Sequence, residues 1–236
     1  LRGTPADDAH HFLNRLWDQT CEDNPAFINS SRAVAPFSFS DCPTSFSSPI
    51  QAGTTDGQRV ISVGRMGRLG ANPADVAIVE LMNSAQSTLK LSIQDLGPIR
   101  VGNNALTDWP EEVLEALAKA IVRGVEIDVI FSNKGSTPGG LWVGSASYSN
   151  GWEPVDAVNR LKEWAGNHPE VIPDEAEFEA LLCDRFHPGV LRTSTDDEWA
   201  SGVTQANHAK FIIADDEAFY LGSQNLYVAH LAEHGL

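Results

Sequence analysis

The sequence predicts an α/β chain, built on a mixed, mostly parallel β-sheet flanked by helices. Between residues 59 and 132, apolar runs of strand length alternate with amphipathic helical stretches, the pitch expected of βαβ units. Further on, Phe211-Ile212-Ile213-Ala214 and Ala218-Phe219-Tyr220-Leu221 flank the acidic turn Asp215-Asp216-Glu217, which predicts a buried β-hairpin. With 236 residues and 42% hydrophobic content, the chain can fill one large core or two small ones.

Taken in order, residues 5 to 20 read as a helix, with Pro5 near its start and Ala9, Phe12, Leu13, Leu16 and Trp17 on one face. Residues 23 to 58 are rich in Ser, Pro, Asn and Thr and read as a long loop or linker. Arg59 to Val63 reads as a strand. Gly64, Gly67 and Gly70 follow it in a GxxGxxG pattern, which lacks the GxGxxG spacing of a dinucleotide loop and reads as a turn into the next helix. Pro73 to Gln86 is amphipathic, and Leu89 to Leu96 is a strand. Asp108-Trp109-Pro110-Glu111-Glu112 is a helix start, with proline and acids in the first turn. That helix runs through Val113–Arg123 and stops at Gly124, and Val125 to Ser132 is the next strand. Residues 133 to 151 form a Gly/Ser loop, a candidate active-site rim. Helices over 154–165 and 173–183 and a strand near Val190–Thr193 lead to the hairpin.

The chemistry concentrates there. His208 and Lys210 are two apart, so on a strand they leave by one face. Ser223 and Asn225 follow the second strand at the same spacing. An imidazole that titrates near neutral pH would then stand beside an ammonium, a hydroxyl and a carboxamide, a patch suited to acid–base work on a phosphate. The bland reading is a hairpin with one surface His and one surface Lys.

Charge narrows the partners. With 32 acidic and 16 basic residues the net charge is −16. Polynucleotide binding needs Lys and Arg to displace counterions, so this balance argues against nucleic acid while leaving room for one phosphate in a local pocket. No apolar run approaches the ~18 residues of a membrane span, which predicts a soluble chain. The chain opens on Leu1 without a signal-like segment, so processing or truncation is expected before it. Of the cysteines, Cys21 and Cys42 flank the irregular loop, and a bridge between them fits a secreted, extracellular protein. The alternative is three unpaired thiols, Cys183 included.

His208-x-Lys210, Asp215 and Gly222-Ser223-x-Asn225 together resemble the HKD signature of the phospholipase D superfamily. Leu16-Trp17-Asp18, Val60-Ile61-x-Val63-Gly64, Ser92-x-Gln94-Asp95-Leu96 and Asp215-Asp216-x-Ala218-Phe219-Tyr220 are similar to the C-terminal half of secreted Streptomyces-type phospholipase D. The resemblance implies the second of two pseudo-symmetric lobes. Residues 1–22 would be the terminal helix of the preceding lobe, 23–58 a linker, and 59–236 the HKD-containing lobe, incomplete at its C-terminus. It implies cleavage of a phosphodiester such as phosphatidylcholine at a membrane or micelle surface, by hydrolysis or transphosphatidylation through a phosphohistidine, with no cofactor and no metal. His208 would be the general acid. Lys210 and Asn225 would hold phosphoryl oxygens, with Gly222 and Ser223 beside them, and Asp215, the motif's third member, would fix the turn. Glu233 would orient the His of a complementary HKD half, which this chain needs as a partner.

Three alternatives stand beside this. A single-motif homodimeric phosphodiesterase or nuclease would bring two copies of His208 together, and an inactive lobe would only bind phosphate. His230-Leu231-Ala232-Glu233-His234 fits the H-x-x-E-H zinc pattern, which needs a helix and a third ligand; its bland reading is a polar helix turn. His10, His11, His168 and His187 have no partner at ligand spacing and read as surface or helix-face residues.

Overall fold

The computed structural model describes residues 9, 11–13, 60–66, 72–101, 104–105, 107–133, 150–192, 206–227 and 232–236. Most of the predicted first helix, the linker with Cys21 and Cys42, and most of the Gly/Ser loop lie outside them. Residues 11–13 are helical. The strands are β1 (Val63–Met66), β2 (Thr88–Ile93), β3 (Arg100–Val101), β4 (Asn104–Ala105), β5 (Glu126–Phe131), β6 (Phe186–Val190), β7 (Lys210–Ala214), β8 (Ala218–Leu221) and β9 (Ala232–Gly235). The helices are α1 (Pro73–Ser84), α2 (Glu111–Val122), α3 (Pro154–Asn167) and α4 (Glu175–Arg185). None of them is long and apolar enough to cross a membrane.

Local chemistry explains the helix limits. Pro73 begins α1, where its missing N–H costs nothing. Gly124, at φ +83°, turns the chain out of α2 and into β5. The Asp156 carboxylate accepts the Glu153 N–H at 2.8 Å, and Asp174 accepts the Glu177 N–H at 2.9 Å, so α3 and α4 start on satisfied donors.

The main sheet has the order β6-β5-β2-β7-β8. β6, β5 and β2 pair in parallel, whereas β2 with β7 and β7 with β8 pair antiparallel. The sheet is thus evenly mixed in its pairings, because the hairpin adds two antiparallel ones to the βαβ part. Leu89, Leu91, Ile93, Ile127, Val129, Phe131, Ile212 and Tyr220 turn to one face and pack with Ile78, Met82, Leu114, Leu117, Ile121, Leu161, Phe178 and Leu182 of the helices. Burial of each such side chain contributes roughly 1.5–3 kcal/mol. Lys90, Glu126, Asp128, Ile130, Phe219 and Leu221 alternate onto the other face, which is exposed.

Three strand boundaries differ from expectation. The strand expected over residues 59–63 is Val63–Met66, so Gly64 lies within a strand rather than a turn. The one expected near Val190–Thr193 is Phe186–Val190, because α4 runs directly into it and the register with β5 sets its start. The third is Ala232–Gly235, a strand where the H-x-x-E-H pattern requires a helix. It pairs antiparallel with β1 and bridges Gly222 through Gly235. Glu233 and His234 therefore lie in a strand, and His230 is outside the described residues.

Candidate active site

Asn207 sets the entrance to the hairpin. Its backbone N–H donates to Ser132 Oγ at 2.8 Å, and its Nδ2 donates to the carbonyls of Ile130 (2.9 Å) and Ile93 (3.2 Å). Its Oδ1 accepts the Ala209 N–H at 3.1 Å. One buried carboxamide thus ties the incoming chain to the carboxyl ends of β2 and β5, the end of parallel strands where open α/β sheets bind ligands.

His208 therefore sits on this tether, before β7 begins, rather than on a strand face shared with Lys210. Its side chain is exposed while that of Lys210 is buried. The two remain coupled: Lys210 Nζ donates to the His208 carbonyl at 2.9 Å. Packing around the ring lowers the His208 pKa below its ordinary value, and the nearby Lys210 ammonium lowers it further. Both effects favour the neutral imidazole near pH 7. Removing the ammonium in Lys210→Met is expected to raise the His208 pKa towards the ordinary histidine range, followed by NMR titration of the ring. An unchanged or lower pKa would separate the two side chains electrostatically.

The Gly-Ser-x-Asn segment leaves β8 at the same end, because Gly222 donates its N–H to the Lys210 carbonyl at 3.1 Å. Its members have different tasks. Gly222 is a close-approach residue: a Cβ there would overlap the Tyr220 ring and Gly235. Ser223 Oγ accepts the His234 N–H at 3.0 Å and reaches the His234 carbonyl at 3.2 Å, so the hydroxyl fastens β9. Asn225 is buried, and its Oδ1 has no hydrogen-bond partner among the described residues. A buried, unpaired carboxamide oxygen is costly unless a hydrogen-bond donor meets it, whereas the Nδ2 of the same group is the atom that could donate to an anion.

Arg65 holds that segment from behind. Its guanidinium is buried, donates to the Asn225 carbonyl at 3.2 Å, and pairs with Asp75 of α1, with Nε 3.0 Å from Oδ2. Neither Arg65 nor Asn207 carries a local signal of this role. Arg65 lies in a glycine run that reads as a turn, and only adjacency to His208 marks Asn207.

Asp215 stands apart from the group. It closes the far end of β7, roughly 16 Å of strand from Lys210. Its carboxylate accepts the N–H groups of Gln86 (2.8 Å), Ser87 (2.8 Å) and Thr88 (2.9 Å). The hydrogen bonds from Thr88 and Gln86 hold its pKa below the usual carboxylate value. Asp215 and Asp216 have φ of 55° and 57°, the paired left-handed conformation of a type I′ hairpin turn. Asp215 anchors the turn to β2 and to the residues before it, at the opposite end of β7 from Lys210. Glu233 lies in β9 opposite Arg65, and its side chain is outside the described set. His234 Nε2 is 2.6 Å from Ser62 Oγ, and Cys183 is an exposed free thiol.

This end of the hairpin therefore brings together an imidazole, a buried ammonium and a carboxamide, groups that can move a proton and donate to an anion. Comparison with known proteins adds the lineage. The family model described as "Cardiolipin synthase, PLD-like domain" matches residues 78–233. Phospholipase D of Streptomyces antibioticus is 29% identical over 168 residues, 70% of this chain. The chain spans 28% of that relative's length. Among solved structures, phosphatidylserine synthase from Haemophilus influenzae Rd KW20 is 15% identical with a TM-score of 0.43, over 74% of this chain and 33% of that one. The phospholipase D family member Nuc from Salmonella typhimurium is 16% identical with a TM-score of 0.37, over 74% of this chain and 81% of that one.

Proposed function

The chain belongs to the PLD-like domain family, and from that membership we propose that it is the second HKD half of a phospholipase D-type phosphodiesterase acting on glycerophospholipids such as phosphatidylcholine. The observation that carries this is the meeting of the exposed His208 imidazole, the buried Lys210 ammonium and the Asn225 carboxamide, whose Nδ2 can donate to a phosphoryl oxygen, at one end of the hairpin. In the proposed reaction an imidazole nitrogen of the complementary half attacks phosphorus, and the bond from phosphorus to the headgroup oxygen breaks. His208, protonated in the substrate complex, gives its proton to that oxygen. Neutral again, it takes a proton from water or an alcohol, whose oxygen attacks phosphorus as the phosphorus–nitrogen bond breaks and releases the imidazole of the complementary half. Lys210 and Asn225 hold the phosphoryl oxygens as charge shifts onto them.

The test is choline release from phosphatidylcholine vesicles by this chain combined with a complementary HKD half, in EDTA. Release that persists under chelation, and diversion of product to phosphatidylethanol when ethanol is added, are expected. Release that stops with EDTA and returns with zinc would overturn the mechanism. Cleavage of DNA in place of lipid would move the chain to the nuclease class.

Glu233 enters this reaction through the other half. It would accept the far N–H of the nucleophilic imidazole, fixing its tautomer as an aspartate does in a Ser-His-Asp triad. Glu233→Gln is expected to slow phosphohistidine formation in single turnovers quenched at alkaline pH, where the phosphorus–nitrogen bond survives, while substrate affinity barely changes. Formation at the wild-type rate would make Glu233 a surface residue.

A further inference from the structure

On the exposed face of the sheet, a second set of chemical groups converges, independent of the phosphodiester reading. Glu126 and Asp128 are two residues apart on β5 and leave by one face. β6 runs parallel beside them, with His187 in register opposite Asp128. One donor atom from each of the three lies within 4.8 Å of the others. His187 Nδ1 is 3.3 Å from Asp128 Oδ1 and 4.0 Å from Glu126 Oε1. From these groups we propose that Glu126, Asp128 and His187 form a binding site for one divalent transition-metal ion of the zinc class.

The second ring nitrogen of His187 supports this. Nε2 lies 3.2 Å from the backbone carbonyl of Asp184, which can only accept. In the neutral ring that contact assigns the proton to Nε2 and turns the Nδ1 lone pair towards two carboxylates. Three lone-pair donors facing one another repel unless a cation stands between them, either a proton on Nδ1 or a metal ion. A backbone carbonyl holding the far N–H is the outer-shell support that orients metal-binding histidines.

Neither carboxylate pairs with a Lys or Arg among the described residues. Lys90, opposite Asp128 on β2, places its ammonium 3.0 Å from Asp216 instead. Spacing is also suitable. Donors in a tetrahedral zinc centre with bonds of about 2.0–2.1 Å stand about 3.3 Å apart. Asp128 and His187 already have that separation, while Glu126 stands 4.0 Å from His187 and within 4.8 Å of the Asp128 donor, a gap that a change of surface rotamer can close. One imidazole and two carboxylates suit zinc, cobalt or nickel better than magnesium or calcium, which favour all-oxygen shells. Side-chain exposures of 45%, 53% and 54% leave the remaining coordination position to water.

The bound ion would join β5 to the edge strand β6 and, through the Asp184 carbonyl, to the last turn of α4. It would stabilise the fold by mass action without touching the reaction. Asn207 delivers His208 to the carboxyl ends of β2 and β5, and Lys210 lies on the helix-covered face, whereas this site begins at the amino end of β5 on the other face.

The experiment is calorimetric titration of the metal-free 236-residue chain with zinc chloride, with magnesium chloride as control, alongside thermal melts. Cys183 and other histidines also take zinc, so the readout is a difference between variants. Wild type is expected to bind zinc and to melt higher in its presence, and magnesium to do neither. His187→Ala and Asp128→Asn should each weaken one equivalent at least ~10-fold and remove the zinc-dependent rise in Tm. His208→Ala should keep both. If His187→Ala misfolds, Asp128→Asn, which preserves size, decides. Zinc binding and melting unchanged in these variants, or no rise in Tm in wild type, would overturn the site.

Discussion

In an enzyme reconstituted from this chain and a complementary HKD half, His208→Ala is expected to lower turnover at least ~100-fold, the scale of a lost acid–base group. By transition-state arithmetic that is about 2.7 kcal/mol of barrier. The reason is specific to the site. A phosphodiester's leaving alkoxide is a poor leaving group until it is protonated, and among the described residues no other imidazole shares the Asn207 tether. Lys210→Ala should lose a comparable amount for a different reason. In the proposed reaction its buried ammonium would neutralise charge on the phosphoryl oxygens, so its loss would remove transition-state stabilisation of the oxyanion-hole kind. The two variants separate in pH dependence: the limb assigned to His208 disappears in His208→Ala and moves to higher pH in Lys210→Ala. Steady-state rates on phosphatidylcholine across pH provide the check. A near-normal rate in either variant removes that residue from the mechanism.

The chain by itself is expected to be almost inactive. Its sequence holds one His-x-Lys, and displacement at phosphorus needs one group to attack and another to protonate the leaving oxygen on the opposite side. One imidazole cannot occupy both positions at once. Choline release should therefore be near background for the isolated chain and rise in proportion to added complementary half until the two are equimolar. If activity instead grows steeply with chain concentration and follows a dimer in sedimentation, two copies of His208 supply both roles and the homodimeric alternative takes over. Full turnover by a monomer would sink both versions.

Sequence reading reached the parts of the fold that local chemistry controls. The limits of α1 and α2 follow from Pro73 and Gly124, and the hairpin follows from two apolar runs around Asp215-Asp216. The nearness of His208, Lys210 and Asn225 was likewise legible, since they stand at fixed offsets before, on and after one hairpin. Their separate tasks were not. A spacing of two places His208 and Lys210 on one face only if both lie in the strand. Asn207, bonded to Ile93 and Ile130, keeps His208 out of it. Asp215 looks like a site residue in the motif, yet its partners Gln86 to Thr88 precede it by well over a hundred residues. Arg65, Asp75 and Asn225 meet through β1, α1 and the end of the hairpin, and His187 meets Asp128 through the β5–β6 register. Periodicity, caps and turns act over a few residues and so leave a mark in the chain. Register and the partners of buried polar groups are chosen between distant segments, by whichever packing satisfies both, and only the tertiary structure makes that choice.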